Sequence, residues 1–228
     1  MNSIKSIAVS LIIFSYFSYS FQKTPISEKT PKGFEHLVDI QSINSSIQID
    51  LKYATTDNFM KKQLYFNIKK VYLQPDVALR LSNCQKYLKK LYPDYSLLVY
   101  DGVRPLSVQK AMWEALDSIP PAQRSKFVSN PANGSVHNYG AAVDLTICDI
   151  NGKPLDMGAG YDDIREIAYP SKEQFFLNKG LLTEKHIKNR QILRKVMNYQ
   201  HFKNIPSEWW HFNACSRNEA KKKYKIVY

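Results

Sequence analysis

The sequence predicts an α+β chain organised around one core, on three observations. The 228 residues are 44% hydrophobic and 23% charged. That is globular composition, and it is long enough for a single core of ordinary size. Several short segments have the pattern of strands. Ile47-Gln48-Ile49-Asp50-Leu51 alternates with period two, residues 95–100 are a largely apolar run of strand length, and residues 142–147 read as a further strand. Other segments repeat with helical period: Val77, Leu81, Cys84, Leu88 and Leu91 recur at intervals of four, three, four and three.

Taken in order, the chain opens with an address. Lys5 supplies a positive charge, Ile7 to Phe17 is apolar, and Ser18-Tyr19-Ser20 places small residues before a cut. Residues 1–20 therefore read as a secretory signal peptide cleaved after Ser20. The run falls short of the ~18–20 apolar residues that a membrane anchor needs. Residues 21–36 are polar and aperiodic and read as a linker, leaving one domain over 37–228. Leu37-Val38-Asp39-Ile40 predicts a first strand, Asn44-Ser45-Ser46 a turn, and residues 47–51 a second strand.

Pro75 opens the first long helix, where its missing N–H costs nothing. The strand over 95–100 runs into Asp101-Gly102-Val103-Arg104-Pro105, whose Gly and Pro set a turn that projects Arg104. Ser107 is the expected cap of a second helix with Val108, Ala111, Met112, Ala115 and Leu116 on its buried face. Pro120-Pro121 ends it, and residues 121–134 form a loop with room for one short helix. Asn151-Gly152 signals a hairpin returning through Pro154-Leu155. Thr183 caps a long helix to about Tyr199, with His186 expected on its exposed side and without a partner. Residues 224–228 are expected as an edge strand.

Charge and cysteine content exclude several classes. The formal net charge is +12, but the lysines are scattered in short runs such as Lys61-Lys62 and Lys221-Lys222-Lys223. That pattern is a solvated face, with no nucleic-acid module in the sequence. Three cysteines, Cys84, Cys148 and Cys215, are too few for a disulfide framework. One bridge is compatible with export. Cys148 and Cys215 each lie four residues beyond a candidate ligand, and Cys84 falls on the buried helical stripe.

The candidate chemistry lies in Ser135-Val136-His137-Asn138-Tyr139-Gly140-Ala141-Ala142-Val143-Asp144 and in Glu208-Trp209-Trp210-His211. His137, Asp144 and His211 make a two-histidine, one-carboxylate set. Such a set leaves a fourth zinc position open, which is the catalytic pattern and not the closed structural one. Glu208 remains over as the proton shuttle that such a site uses. Gly140 and the alanines after it are read as admitting backbone close to the metal.

These two segments, together with residues 50–59, Tyr100-Asp101-Gly102-Val103-Arg104-Pro105 and Met157-Gly158-Ala159-Gly160-Tyr161-Asp162, resemble the zinc D-Ala-D-Ala dipeptidases of the VanX group, in order from about Val38 to about Phe212. The resemblance implies a small, mostly antiparallel sheet flanked by helices, the fold of zinc DD-peptidases and hedgehog-like domains. It implies one Zn²⁺ per chain and hydrolysis of D-alanyl-D-alanine, with Arg104 stabilising the oxyanion. It also implies that Asp162, with Asp163 as its rival, takes the substrate ammonium group, that Tyr53 faces the substrate, and that Ser135 touches its carboxylate. The expected partner is a small wall-derived peptide in the periplasm or cell envelope, with no nucleic acid and no membrane span once the leader is removed. An export signal favours turnover of wall peptides over antibiotic resistance. The alternatives are a D,D-carboxypeptidase or other peptidoglycan peptidase on the same scaffold, and a zinc-containing binding module without catalysis.

Overall fold

The computed structural model describes residues 30–125 and 127–228. The expected signal peptide and most of the expected linker lie outside them. The first strand, β1 (Val38–Asp39), is only two residues long because the Asp39 carboxylate accepts from the Gln41 N–H and starts a helical turn, α1 (Ile40–Ile43). β2 (Gln48–Ile49) leads into a 3₁₀ turn over Lys52–Ala54. The turn at residues 44–46 does not make a hairpin. β1 pairs antiparallel with β3 (Tyr72–Leu73), and β2 runs parallel to β4 (Ser96–Asp101).

Between these strands lies α2 (Pro75–Leu91), with Asp76 in its first turn and Lys89 and Lys90 in its last, each sign favourable to the helix dipole. Val77, Leu81, Cys84 and Leu88 are buried as the period requires, while Leu91, in the last turn, is exposed and not part of the buried stripe. Burial of each such leucine contributes about 1.5–3 kcal/mol. Cys84 is a small buried side chain whose thiol burial pushes up to about 12.

α3 (Leu106–Glu114) starts one residue before the expected cap, since the Leu106 N–H is taken by the Val227 carbonyl at 2.8 Å. Its buried side is Leu106, Gln109 and Met112, and Ala111 and Ala115 are exposed. The expected short helix is α4 (Pro121–Arg124). A 3₁₀ turn over Val136–Tyr139 then enters β5 (Ala142–Cys148), whose seven residues are all buried. The Asn151-Gly152 turn forms, but its return is a single bridge at Cys148 and Pro154, since proline has no N–H to extend a ladder.

Two further 3₁₀ turns precede α5 (Glu173–Asn178) and α6 (Glu184–Asn198). Thr183 caps α6 as expected. His186 differs from expectation: it closes the capping box and binds the Asp156 carboxylate at 3.1 Å. Arg190, fully buried on α6, donates to the Met157 and Ile167 carbonyls and so fixes the 157–167 segment against the helix.

β6 (Lys203–Ile205) and β7 (Glu208–Asn213) complete a five-stranded sheet of order β2-β4-β5-β7-β6, antiparallel except for β2 with β4. The expected terminal strand is absent. α7 (Arg217–Lys223) is followed by extended chain whose Val227 N–H bonds the Asn138 carbonyl, pinning the 3₁₀ turn of residues 136–139. Among the described residues no helix is long and apolar enough to cross a membrane.

The sheet has two buried faces. Leu97, Val99, Val143, Leu145, Ile147 and Phe212 point into the main core beneath the helices. Leu98, Tyr100 and Cys148 cover the other face together with Tyr161. The strand period of two therefore sends Asp144, which lies between Val143 and Leu145, to this second face.

Candidate metal centre and cleft

Strand register brings the first two ligands together. Asp144 pairs directly with His211 across β5 and β7, so their side chains share a face, while the adjacent pair Val143 and Phe212 anchors the core face. His137 arrives from the 3₁₀ turn before β5. Ser135 caps that turn with its hydroxyl, and Gly140 ends it in the left-handed region at φ 63°. A Cβ on Gly140 would meet Leu37 Cδ2 at 3.0 Å and the Gln74 backbone N at 3.3 Å. The close approach that Gly140 permits is thus to the β3–α2 junction and not, as the sequence suggested, to the metal ligands.

Three atoms converge: His137 Nε2, His211 Nδ1 and Asp144 Oδ1. Their separations are 3.1 Å between the two nitrogens, 3.3 Å from His137 to Asp144, and 3.0 Å from His211 to Asp144. All three residues are buried. Bonds of about 2.0–2.1 Å to a tetrahedral ion set donor atoms roughly 3.3 Å apart, so the group fits zinc.

The contacts behind the donors agree with this fit. His137 Nδ1 faces the Gly102 carbonyl at 2.7 Å and must donate to it, which leaves Nε2 with its lone pair. Asp144 Oδ2 accepts from Arg104 Nη2 at 3.4 Å and from Tyr161 Oη at 3.3 Å, which leaves Oδ1 free. Cysteine takes no part: Cys84, Cys148 and Cys215 are all free thiols, and no disulfide joins Cys148 to Cys215.

Burial alone would raise the Asp144 carboxyl, but the imidazoles of His137 and His211 overcome it and hold the group well below the usual carboxylate range. Burial disfavours an imidazolium at His211, yet the hydrogen bond and charge of Asp144 raise its pKa. Metal binding at these ligands competes with protons.

The donors open on a cleft of ≈ 190 Å³ whose walls include Tyr53, Arg104, Ser135, Asp162, Glu208 and Trp210. Glu208 Oε2 lies 3.9 Å from His211 Nδ1, and burial pushes its carboxyl up while His211 pulls it back. Arg104 is buried, with its guanidinium 5.0 Å from the centre of the Tyr53 ring. Nε and Nη2 donate to Asp101 Oδ2 at 2.9 and 2.7 Å. Asp101, fully buried, also accepts from Tyr65 Oη at 2.7 Å and from the Gly102 N–H at 2.9 Å. Gly102 carries no side chain for a steric reason: a Cβ there would meet Val71 Cγ1 at 2.7 Å and the Tyr72 carbonyl at 2.9 Å.

Asp162 has a positive φ of 59°, and Tyr53 Oη lies 3.2 and 3.3 Å from its two oxygens. Desolvation first, then the charge of Asp144, raises its carboxyl to about 8. Its rival Asp163 is ion-paired with Arg165 at 2.6 Å. Ser135 Oγ accepts from the His137 N–H at 3.3 Å, which leaves its own proton to donate. Trp209 and Trp210 are both buried, and only Trp210 lines the cleft.

The sequence model of one family, described as D-ala-D-ala dipeptidase, matches residues 34–226 of this chain. The chain belongs to the D-Ala-D-Ala dipeptidase family. A D-alanyl-D-alanine dipeptidase of Escherichia coli (strain K12) is 32% identical over 176 residues, covering 77% of this chain and 83% of that protein. One from Enterococcus faecalis (strain ATCC 700802 / V583) is 29% identical over 180 residues, covering 73% and 85%. A solved LD-carboxypeptidase, LdcB, aligns over 82% of this chain and 72% of its own at 18% identity, with a TM-score of 0.44.

All eight site residues expected from the sequence line this one cleft. Three further residues around it carry no role in the sequence reading: Asp101, Tyr161 and Asn213. Asp101 and Tyr161 fall inside segments that already resemble the family. The signal that could have found Asp101 is its charge, opposite to Arg104 at a spacing of three, at the end of an apolar strand.

Proposed function

We propose that this family member is a zinc-dependent dipeptidase that hydrolyses free D-alanyl-D-alanine to two D-alanine. The observation that carries the reading is the convergence of two imidazole nitrogens and one carboxylate oxygen beside Glu208, in a cleft with a further carboxyl, Asp162, at one wall. When bound, Zn²⁺ supplies Lewis acidity at the scissile carbonyl and lowers the pKa of a bound water toward ~7. His137, Asp144 and His211 hold it.

Glu208 accepts the proton of the attacking water and delivers it to the leaving amine. Its raised pKa suits it to both halves of that transfer. Arg104 stabilises the negative charge that develops on the carbonyl oxygen. It is charged throughout, and Asp101 fixes its plane before substrate arrives. Asp162 and Tyr53 receive the ammonium group of the dipeptide. A desolvated carboxylate gains most from a cationic partner, and the ammonium supplies one. Ser135 donates its hydroxyl proton to the terminal carboxylate.

The leader over residues 1–20 supports action outside the cytoplasm, in the periplasm or cell envelope, where wall turnover releases such peptides. The test is D-alanine release by the zinc-loaded mature protein, from free D-Ala-D-Ala and from a stem pentapeptide ending in D-Ala-D-Ala. Turnover of the free dipeptide alone is expected. Preference for the pentapeptide would replace the reading with a D,D-carboxypeptidase. Turnover of neither, with zinc bound, would replace it with a non-catalytic zinc module.

A further inference from the structure

We infer that Asn213 is the positioning residue that sets the metal-binding tautomer of His211, and with it the zinc affinity of the site. The inference rests on the proposed zinc site but concerns a residue outside its ligands. A neutral imidazole has one N–H and one lone pair, so whichever nitrogen is tied as a donor frees the other to bind metal. His211 points Nδ1 at the cluster, 3.0 Å from Asp144 Oδ1, and Nε2 at Asn213 Oδ1, 3.0 Å away. An amide oxygen only accepts, so Asn213 holds the proton on Nε2 and leaves Nδ1 unprotonated for the ion.

The other two donors are oriented differently. His137 is oriented by a main-chain carbonyl, and Asp144 by Arg104, which lines the cleft, and by Tyr161, which lies behind it. Asn213 is the side chain that orients His211. It reaches His211 from two residues further along β7, where strand alternation returns the side chain to the same face. Its own backbone is fixed by pairing with Ala142 and Lys203, so the acceptor is placed on a paired strand and not on a loop.

The test compares the parent, Asn213→Leu and Asn213→Asp in metal-free form. Zinc affinity is read by competition with a chromophoric chelator, the cobalt(II)-substituted site by its d–d absorption, and folding by the melting temperature without metal. Asn213→Leu removes the acceptor and should weaken zinc about 10–100-fold, the usual cost of losing such a contact. Its metal-free melting temperature should be unchanged and its cobalt band altered. Asn213→Asp keeps an acceptor in place and should bind zinc without that loss. Parental zinc affinity in Asn213→Leu would overturn the inference, even if turnover fell. So would an equal loss in Asn213→Asp. A parent protein that binds no zinc would instead overturn the proposed function itself.

Discussion

Replacing Asp101 with Asn should destabilise the protein more than almost any other isosteric change in it. Asp101 is fully buried and faces four donors: Tyr65 Oη, the Gly102 N–H, and two nitrogens of Arg104. Burial pushes its carboxyl up while Arg104 and His137 pull it down. With only donors around it, the ionised form is the one the site holds. An Asn amide must turn its NH₂ toward one side. Tyr65 can rotate its hydroxyl to accept, but the Gly102 N–H and the guanidinium cannot. Removing one member of a buried ion pair costs about 3–5 kcal/mol. Asp144 Oδ2, 3.4 Å from Arg104 Nη2, partly compensates the orphaned cation, which points to the lower end, about 3 kcal/mol. At about 2–4 °C per kcal/mol for a chain of this size, the melting temperature should fall by about 6–12 °C. The assay is calorimetry on the metal-free parent, Asp101→Asn, Asp101→Leu, Arg104→Met and the Leu/Met double variant. The double variant should melt well above the sum of its singles, because it removes both charges together. A shift under about 2 °C for Asp101→Asn, or additive behaviour in the double variant, would refute the buried-pair argument.

Two other outcomes are expected. Glu208→Gln should retain zinc, measured by metal content, and lose at least ~100-fold in D-Ala-D-Ala turnover, the low end for a positioned acid–base group; full activity would remove Glu208 from the mechanism. Asp162 has its folded pKa raised to about 8 from an ordinary 3.8, so the folded state binds a proton that the unfolded state has released between those values. The stability it contributes is complete below pH 3.8 and is lost as pH rises through about 8. The metal-free protein should therefore lose more stability between pH 5 and pH 9 than Asp162→Asn does, and identical pH profiles for the two would show that Asp162 carries no raised pKa.

The sequence by itself determined the parts whose signal is local. The stripe from Val77 to Leu88 is a helical repeat, so α2 followed from it. Thr183 and the period after it marked α6. Two histidines and an aspartate in family-like segments named the donors, because ligand identity is a matter of chemistry and does not depend on distance along the chain. Tertiary structure decided the rest, because it depends on which surfaces meet. Residues 44–46 read as the turn between two strands, and β1 and β2 each pair elsewhere, since strand pairing is set by the whole sheet and not by the intervening turn. Gly140 looked like a metal-site glycine, but its missing side chain makes room for Leu37 and Gln74. His186 looked exposed and turned out to be held by Asp156, thirty residues earlier. The face on which Asp144 and His211 meet came from the β5–β7 register. A slip of β7 by one residue against β5 would have sent His211 to the apolar core face and separated it from Asp144. The partners behind the donors, the Gly102 carbonyl and Asn213, are contacts that exist only once that register is fixed.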